Sequence, residues 1–216
     1  KSGDIWLGQA IIDGGSLSID SYLVSSSHGT KAELLSETVR CIYSAPDGTM
    51  WYGHDVGISY YNETFNRFSF VPVTDKSEVI CSVLEDKDGD FWVGETYSLK
   101  HYRSDWTQDA TYAIRNATQT SIPFMTQTLL EDESGNIWAG GLSETVVFVS
   151  SEDSRLHYLR IENPDTSALP INNILSLAQG CDGSIWIGAE TGVVNYNPLT
   201  GKFTTLFQSK KLIYPE

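Results

Sequence analysis

"DGSIWIGAETGVVNYN", residues 182–197, and "DGTMWYGHDVGISYYN", residues 47–62, are nearly the same phrase. In each, an Asp-Gly pair stands between two apolar runs. This is the composition of a tight hairpin turn, because glycine accepts the positive φ that such a turn requires. A tryptophan and a glycine follow two residues apart, and a tyrosine sits near the end of the next apolar run. A phrase that recurs in fixed register marks a repeat architecture, and its period selects which one.

The W-x-G unit occurs five times, at Trp6/Gly8, Trp51/Gly53, Trp92/Gly94, Trp138/Gly140 and Trp186/Gly188, with spacings of 45, 41, 46 and 48 residues. A second glycine lies three residues before each tryptophan, at Gly3, Gly48, Gly89, Gly135 and Gly183. A third marker, an aromatic eight residues after the W-x-G glycine, is found at Tyr61, Tyr102, Phe148 and Tyr196, whereas the first copy has Ser16 there. Before each turn runs a strand-like segment ("VRCIYSA", "VICSVLED", "TQTLLED", "ILSLAQG"), and after it comes "TMWYG", "DFWVG", "NIWAG" or "SIWIG".

In a strand, residues two apart share a face, so each Trp and Gly point one way while neighbours such as Ile185 and Ile187, or Phe91 and Val93, point the other. Both faces are apolar. Such a sheet must be covered on both sides, and a glycine beside an indole predicts a fitted contact with a bulky group of the adjacent sheet. A third strand ("GISYYN", "SLKHYR", "TVVFVS", "GVVNYN") and a weaker fourth ("RFSFVPV", "RLHYLRI", "KFTTLF") complete the unit. Four antiparallel strands every 40 to 50 residues predict an all-β chain, a β-propeller built of four-stranded blades. The pattern suits a partial propeller of four to five blades in one domain: a partial blade over 1–35, blades over 36–75, 76–120, 121–166 and 167–207, and a tail over 208–216. The chain starts Lys1-Ser2-Gly3, as expected of a piece of a longer propeller. A solenoid fits less well, since its repeats are shorter or helical.

Composition narrows the function. With 14 Lys and Arg against 28 Asp and Glu, the net charge of −14 disfavours nucleic acid and anionic membrane surfaces as partners. No run approaches the roughly 18 apolar residues of a membrane-spanning helix. Three cysteines, Cys41, Cys81 and Cys181, form neither a disulfide framework nor a zinc pattern; Cys41 and Cys81 read as small core residues.

The stretches 169–206 and 35–71 resemble the two-component regulator propeller repeat, whose usual form is a strand, an acidic D-x-x-G turn, W-I-G-T, then G-L-x-x-Y-D-P and a closing K-F. The units at 79–112 and 125–159 keep "LEDKDGDFWVG" and "LEDESGNIWAGG" but have Ser98 and Glu144 where a later glycine is usual. The resemblance implies a periplasmic sensor region of Bacteroides-type hybrid two-component systems, recognising glycan breakdown products. Its implied partners are a glycan fragment or other small ligand and the neighbouring blades or domains of the parent sensor, with a homodimer as a further arrangement. A propeller lyase or glycosidase, or a protein-interaction scaffold, is the alternative, because fold alone does not define function.

The residues give chemistry little foothold. "DKDGD" at 86–90 lacks the glycine and glutamate that an EF-hand loop would need at 91 and 97. His54-Asp55 reads as base and orienting carboxylate, yet adjacent residues of one loop rarely face one substrate, and no nucleophile motif accompanies them. The reading assigns no catalytic residue, no metal ligand and no cofactor. Ligand-binding candidates come from the loops between strands two and three and between blades: His54, Glu95, Tyr97, Glu190 and Asn172, with His28, Arg115, Asn116, Asn163 and Asn173 beside them. Trp106, outside the repeat, reads as a core residue of an irregular fourth strand.

Overall fold

A computed structural model describes residues 5–7, 10–12, 19–21, 38–55, 57–62, 67–71, 73, 78–115, 120–161 and 171–209. Gly3, Gly8, His28, Asn116 and Asn163 lie outside the described residues. The described secondary structure is all strand: β1 (Ile5–Leu7), β2 (Ala10–Ile12), β3 (Ile19–Ser21), β4 (Val39–Ser44), β5 (Met50–His54), β6 (Gly57–Asn62), β7 (Arg67–Val71), β8 (Ile80–Glu85), β9 (Phe91–Glu95), β10 (Ser98–Tyr102), β11 (Gln108–Ala113), β12 (Thr128–Glu131), β13 (Ile137–Gly140), β14 (Thr145–Val149), β15 (Leu156–Arg160), β16 (Ile174–Gln179), β17 (Ile185–Ala189), β18 (Gly192–Asn197) and β19 (Lys202–Gln208). They form β1–β3 as a three-stranded sheet and four four-stranded sheets, β4–β7, β8–β11, β12–β15 and β16–β19, each in sequence order. The chain divides into two compact units, residues 1–96 with 100–110 and residues 97–99 with 111–216.

Within the four-stranded sheets, every hairpin between the first and second strand closes in one way. Gly48, Gly89, Gly135 and Gly183 have φ of 78° to 88°, the left-handed region where a side chain is costly. Each glycine N–H donates to the carbonyl of Ala45, Asp86, Asp132 or Gly180, three residues back. At two of these positions the side chain does more. Asp86 Oδ1 accepts the N–H of Asp88 and Asp90, and Asp86 Oδ2 accepts Trp92 Nε1–H at 2.9 Å. Asp132 repeats the clasp on Ser134, Asn136 and Trp138 Nε1–H, the last at 2.8 Å. The acid of the D-x-x-G turn thus ties the turn to the tryptophan six residues on.

In the first unit, a Cβ at Gly53 would stand 2.5 Å from Cys41 Sγ and 2.6 Å from Ile80 Cγ2. Ile80 opens the next sheet, so the glycine is a notch that receives it. Trp51 packs on Phe91 and Trp106 of that next sheet, with ring centroids 4.8 and 5.2 Å away. In the second unit, Ile174 of β16 fills the notch at Gly140 in the same manner, and Trp138 meets Tyr196 at 5.8 Å. Across each hairpin the glycine faces a small residue: Gly53 pairs with Cys41, Gly94 with Ser82, Gly140 with Thr128 and Gly188 with Ser176.

Three expectations are corrected. The first is that every W-x-G glycine receives a bulky group of the adjacent sheet, which holds at Gly53 and Gly140 but is not what is seen at Gly188. A Cβ at Gly188 would collide with Ser176 Oγ and approach the Ser176 carbonyl, both within its own sheet. The reason is position: no sheet follows β16–β19 among the described residues, and the same face leaves Trp186 38% exposed, with Val193 and Phe207 exposed beside it. Gly94 is buried in β9 and pairs across the hairpin with Ser82. At Gly188 the glycine accommodates a serine across the hairpin.

The second correction concerns Trp106, which is not in the fourth strand; it sits in the turn before β11 at φ 66°, where it stacks on Phe91 at 4.3 Å. The third is that Phe148 is not equivalent to Tyr61 and Tyr196. Those pair with Met50 and Ile185 on the face away from the tryptophan, whereas Phe148 pairs with Trp138 itself and Val149 takes the tyrosine place opposite Ile137. The cause is the hairpin between β13 and β14, which spans 141–144, while the other three full sheets use two residues there.

Candidate functional site

The candidates of the first unit are buried. His54 and Glu95 end β5 and β9 and are each 0% exposed. The His54 ring stacks on Phe70 with centroids 5.9 Å apart, and its Nε2 meets Ser59 Oγ at 2.9 Å. Burial pushes the imidazole down from 6.5 to about 4, against the opposing charge of Asp55, so it is neutral at pH 7. Asp55 turns the other way and accepts from Arg40 Nε at 3.0 Å, so the two side chains form no acid–base dyad. Glu95 Oε2 is bound by Lys100 Nζ at 2.7 Å, both buried. Burial also pushes the Cys41 thiol up to about 12, which leaves it protonated and inert.

The second unit brings its loops together. At one place the turn after β17 meets the segment before β16: Asn173 Nδ2 donates to Glu190 Oε2 at 2.6 Å, and Glu190 N–H donates to Asn173 O at 3.2 Å. Asn172 Oδ1 is buried there without a hydrogen-bond partner. Asn173 and Glu190 satisfy each other, which makes this cluster a loop clamp.

A concavity lies beside β12–β15. A cavity of about 580 Å³ is lined by Ile114, Arg115, Ile122, Phe124, Ser143, Glu144, Thr145, Val147, Tyr158 and Arg160, within the range of small-molecule sites. It forms because the connector after β11 crosses to the long β13–β14 hairpin. Leu142 N–H donates to Phe124 O at 2.6 Å, and glycine is required at 141, where a Cβ would collide with Phe124 O. Ile114 N–H is anchored on the carbonyl of Tyr97 at 2.9 Å; Tyr97 is 37% exposed and stands at the head of this connector rather than in the lining. The floor is apolar and closed, with Ile114, Phe124 and Val147 buried, and the Tyr158 ring stands half exposed at the side. Tyr158 Oη accepts Arg115 N–H at 3.1 Å, and Arg160 Nη2 binds Glu144 Oε1 at 2.6 Å.

Of the residues proposed from sequence, Arg115 lines this cavity and Tyr97 supports it, whereas Glu190 and Asn172 lie at the separate clamp. Among the described residues, the W-x-G positions, Gly94 and Gly188 included, are not in the lining. Phe124, Ser143, Glu144, Tyr158 and Arg160 were not among the proposed residues. A usable signal was present: "WAGGLSE" carries a second glycine where the other copies have His54, Glu95 or Ala189. Among the described residues no group of three or more His, Cys, Asp or Glu is arranged to hold a metal ion.

No protein-family model and no curated protein matches the chain. Among solved structures it is similar to the extracellular domain of a hybrid two-component system from B. thetaiotaomicron, with a TM-score of 0.74 and 17% identity over 97% of this chain and 29% of that one. It is also similar to virginiamycin B lyase from Staphylococcus aureus, with a TM-score of 0.68 and 14% identity over 100% of this chain and 65% of that one. The WD40 β-propeller domain of Doa1 matches with a TM-score of 0.57 and 15% identity over 76% of this chain and 51% of that one.

The fold is a β-propeller fold. The chain spans less than two thirds of the length of each of these structures, and identities this low carry the fold alone. A propeller places its variable loops at the ends of its blades, and here the blade with the altered hairpin is the one that carries the cavity.

Proposed function

We propose that this chain is a ligand-sensing segment of an extracytoplasmic, periplasmic propeller of a two-component sensor, binding a glycan fragment without transforming it. The observation that carries the proposal is the cavity at the long β13–β14 hairpin, with its closed apolar floor and a rim of hydroxyl and charged groups. Sugar recognition needs an aromatic or aliphatic surface for C–H faces and polar groups for hydroxyls, and Tyr158 stands beside Arg115 and Ser143 to supply both. The likeness to the extracellular domain of a hybrid two-component system supports the sensor role. Signalling follows if ligand binds one arrangement of the propeller and its neighbouring domains more tightly than another.

The test is a thermal-shift panel of neutral and acidic mono- and disaccharides on the wild-type protein and on Ser143→Trp, which places an indole at the cavity mouth. At least one saccharide should raise the melting temperature of the wild type, and the shift should vanish in the variant. No shift from any saccharide, a shift unaffected by Ser143→Trp, or turnover of the bound compound would each contradict the proposal.

A further inference from the structure

The strand pairing of β16–β19 sets two rungs on one face of that sheet. One rung runs from Ala178 through Trp186 to Thr204, the other from Ser176 through Gly188 and Val193 to Phe207. Neither contains a charged residue, although 19% of the chain is charged. Trp186, Val193 and Phe207 are all exposed there, Phe207 at 62%. An uncharged sheet face that shows an indole and a phenyl ring to water is the signature of a contact surface.

The chain itself shows what covers such a face. The equivalent face of β12–β15 holds Trp138 and Gly140, and the opposite side of β16–β19 lies over it. Ile174 enters the notch at Gly140, Tyr196 meets Trp138 at 5.8 Å, and Ile185, Ile187 and Val194 share one core with Trp138 and Val146. In the other unit, Ile80 enters the notch at Gly53 and Phe91 packs on Trp51. Each of these isoleucines opens the first strand of the sheet that comes next in the chain. At Gly188 the nearest atoms all belong to Ser176 of its own sheet. A second copy of the chain is a poor occupant, because each copy carries a net charge of −14 and the two repel. We propose that the Trp186 face seats a further four-stranded sheet of this repeat, carried beyond β19 on the same polypeptide. Its first strand opens on isoleucine or valine, which enters beside Gly188. The apolar face of its second and third strands lies over Trp186, Val193 and Phe207.

The probe is a second copy of residues 161–209 joined after Gln208, which reuses the segment linking β15 to β16. The join matches the existing pattern, since Ile161 N–H donates to Glu144 O just as Ser209 N–H donates to Thr191 O. In this tandem chain Trp186 of the original sheet should lose its acrylamide quenching, so that Trp186→Phe there removes no more quenchable fluorescence than Trp138→Phe does. Ile174→Asp made only in the appended copy leaves the original sheets untouched and should restore the quenching. Circular dichroism and limited proteolysis report whether the appended copy is folded. An appended copy that stays unfolded, one that folds and leaves Trp186 quenchable, or shielding that survives Ile174→Asp would each overturn the inference. The unmodified chain tests the other occupants. Sedimentation velocity should show a monomer with Trp186 quenchable. A dimer that shields Trp186 would assign the face to a second copy, and a monomer that already shields it would assign the face to this chain's own residues, and either result overturns the inference.

Discussion

The Asp132 carboxylate accepts from two backbone amides, the Asn136 amide and the Trp138 indole while itself buried. Asp132→Ala should therefore cost roughly 3 kcal/mol, since it strands several buried donors at once. Asp182→Ala should cost less than about 1 kcal/mol, because Asp182 is exposed and its described side-chain bonds go to the neighbouring Ser184. Urea denaturation midpoints rank the two. The reverse experiment is at Ala45, which occupies the clasp position while Trp51 Nε1 is buried without a partner; Ala45→Asp should raise the midpoint. His54 gives a pH prediction. Its folded value of about 4 lies below the ordinary 6.5, so the unfolded chain takes the proton first and stability falls as pH drops from about 6.5 to 4. The loss from this group is on the order of 3 kcal/mol at most, and His54→Gln should flatten that interval of the stability profile. At this scale the sequence told the turn glycines but not the clasp. Proximity within D-x-x-G shows an acid near a turn, whereas the bond to an indole six residues away depends on how the hairpin pairs.

At the scale of the sheets, the glycine notch at Gly53 and Gly140 is what fits one blade to the next. A Cβ at Gly140 would collide with Ile174 of the following sheet and stand 2.8 Å from its Cβ, an atom that cannot rotate away. Gly140→Ala should destabilise by roughly 1–3 kcal/mol, and Ile174→Ala, which empties the notch, by roughly 2–5 kcal/mol. The double variant should cost less than the sum, the sign of a direct contact in a double-mutant cycle. Strands and turns were legible here because alternation and Asp-Gly punctuation are local signals. The partner of each W-x-G glycine was not: Gly188 carries the same motif as Gly140, yet what fills the space beside it depends on which sheet comes next. The face of Phe148 was hidden too, because spacing from the tryptophan matches the other copies while the long β13–β14 hairpin shifts pairing by one place, and a one-residue slip in a strand reverses every side chain. Trp106 was misplaced for a related reason: a tryptophan at positive φ is rare, so composition argues for a strand where the chain makes a turn.

For the molecule as a whole, the repeat predicted a propeller of four to five blades, and four four-stranded sheets stand among the described residues, each at one copy of the repeat. The cavity could not be read in that way, because residues 114–115, 122–124, 143–147 and 158–160 meet through a connector and a hairpin that depart from the repeat. Exposure gives one global prediction: Trp186 is far more accessible than Trp138, at 38% against 2%, so Trp186→Phe should remove more acrylamide-quenchable fluorescence than Trp138→Phe. The central claim is that ligand recognition resides where the copies differ. Hydrogen–deuterium exchange, with and without the saccharide giving the largest thermal shift, tests this most directly. Protection over residues 120–124, 141–145 and 156–160 is the predicted result. Protection confined to the clamp at Asn172, Asn173 and Glu190, or spread evenly over all four sheets, would contradict it.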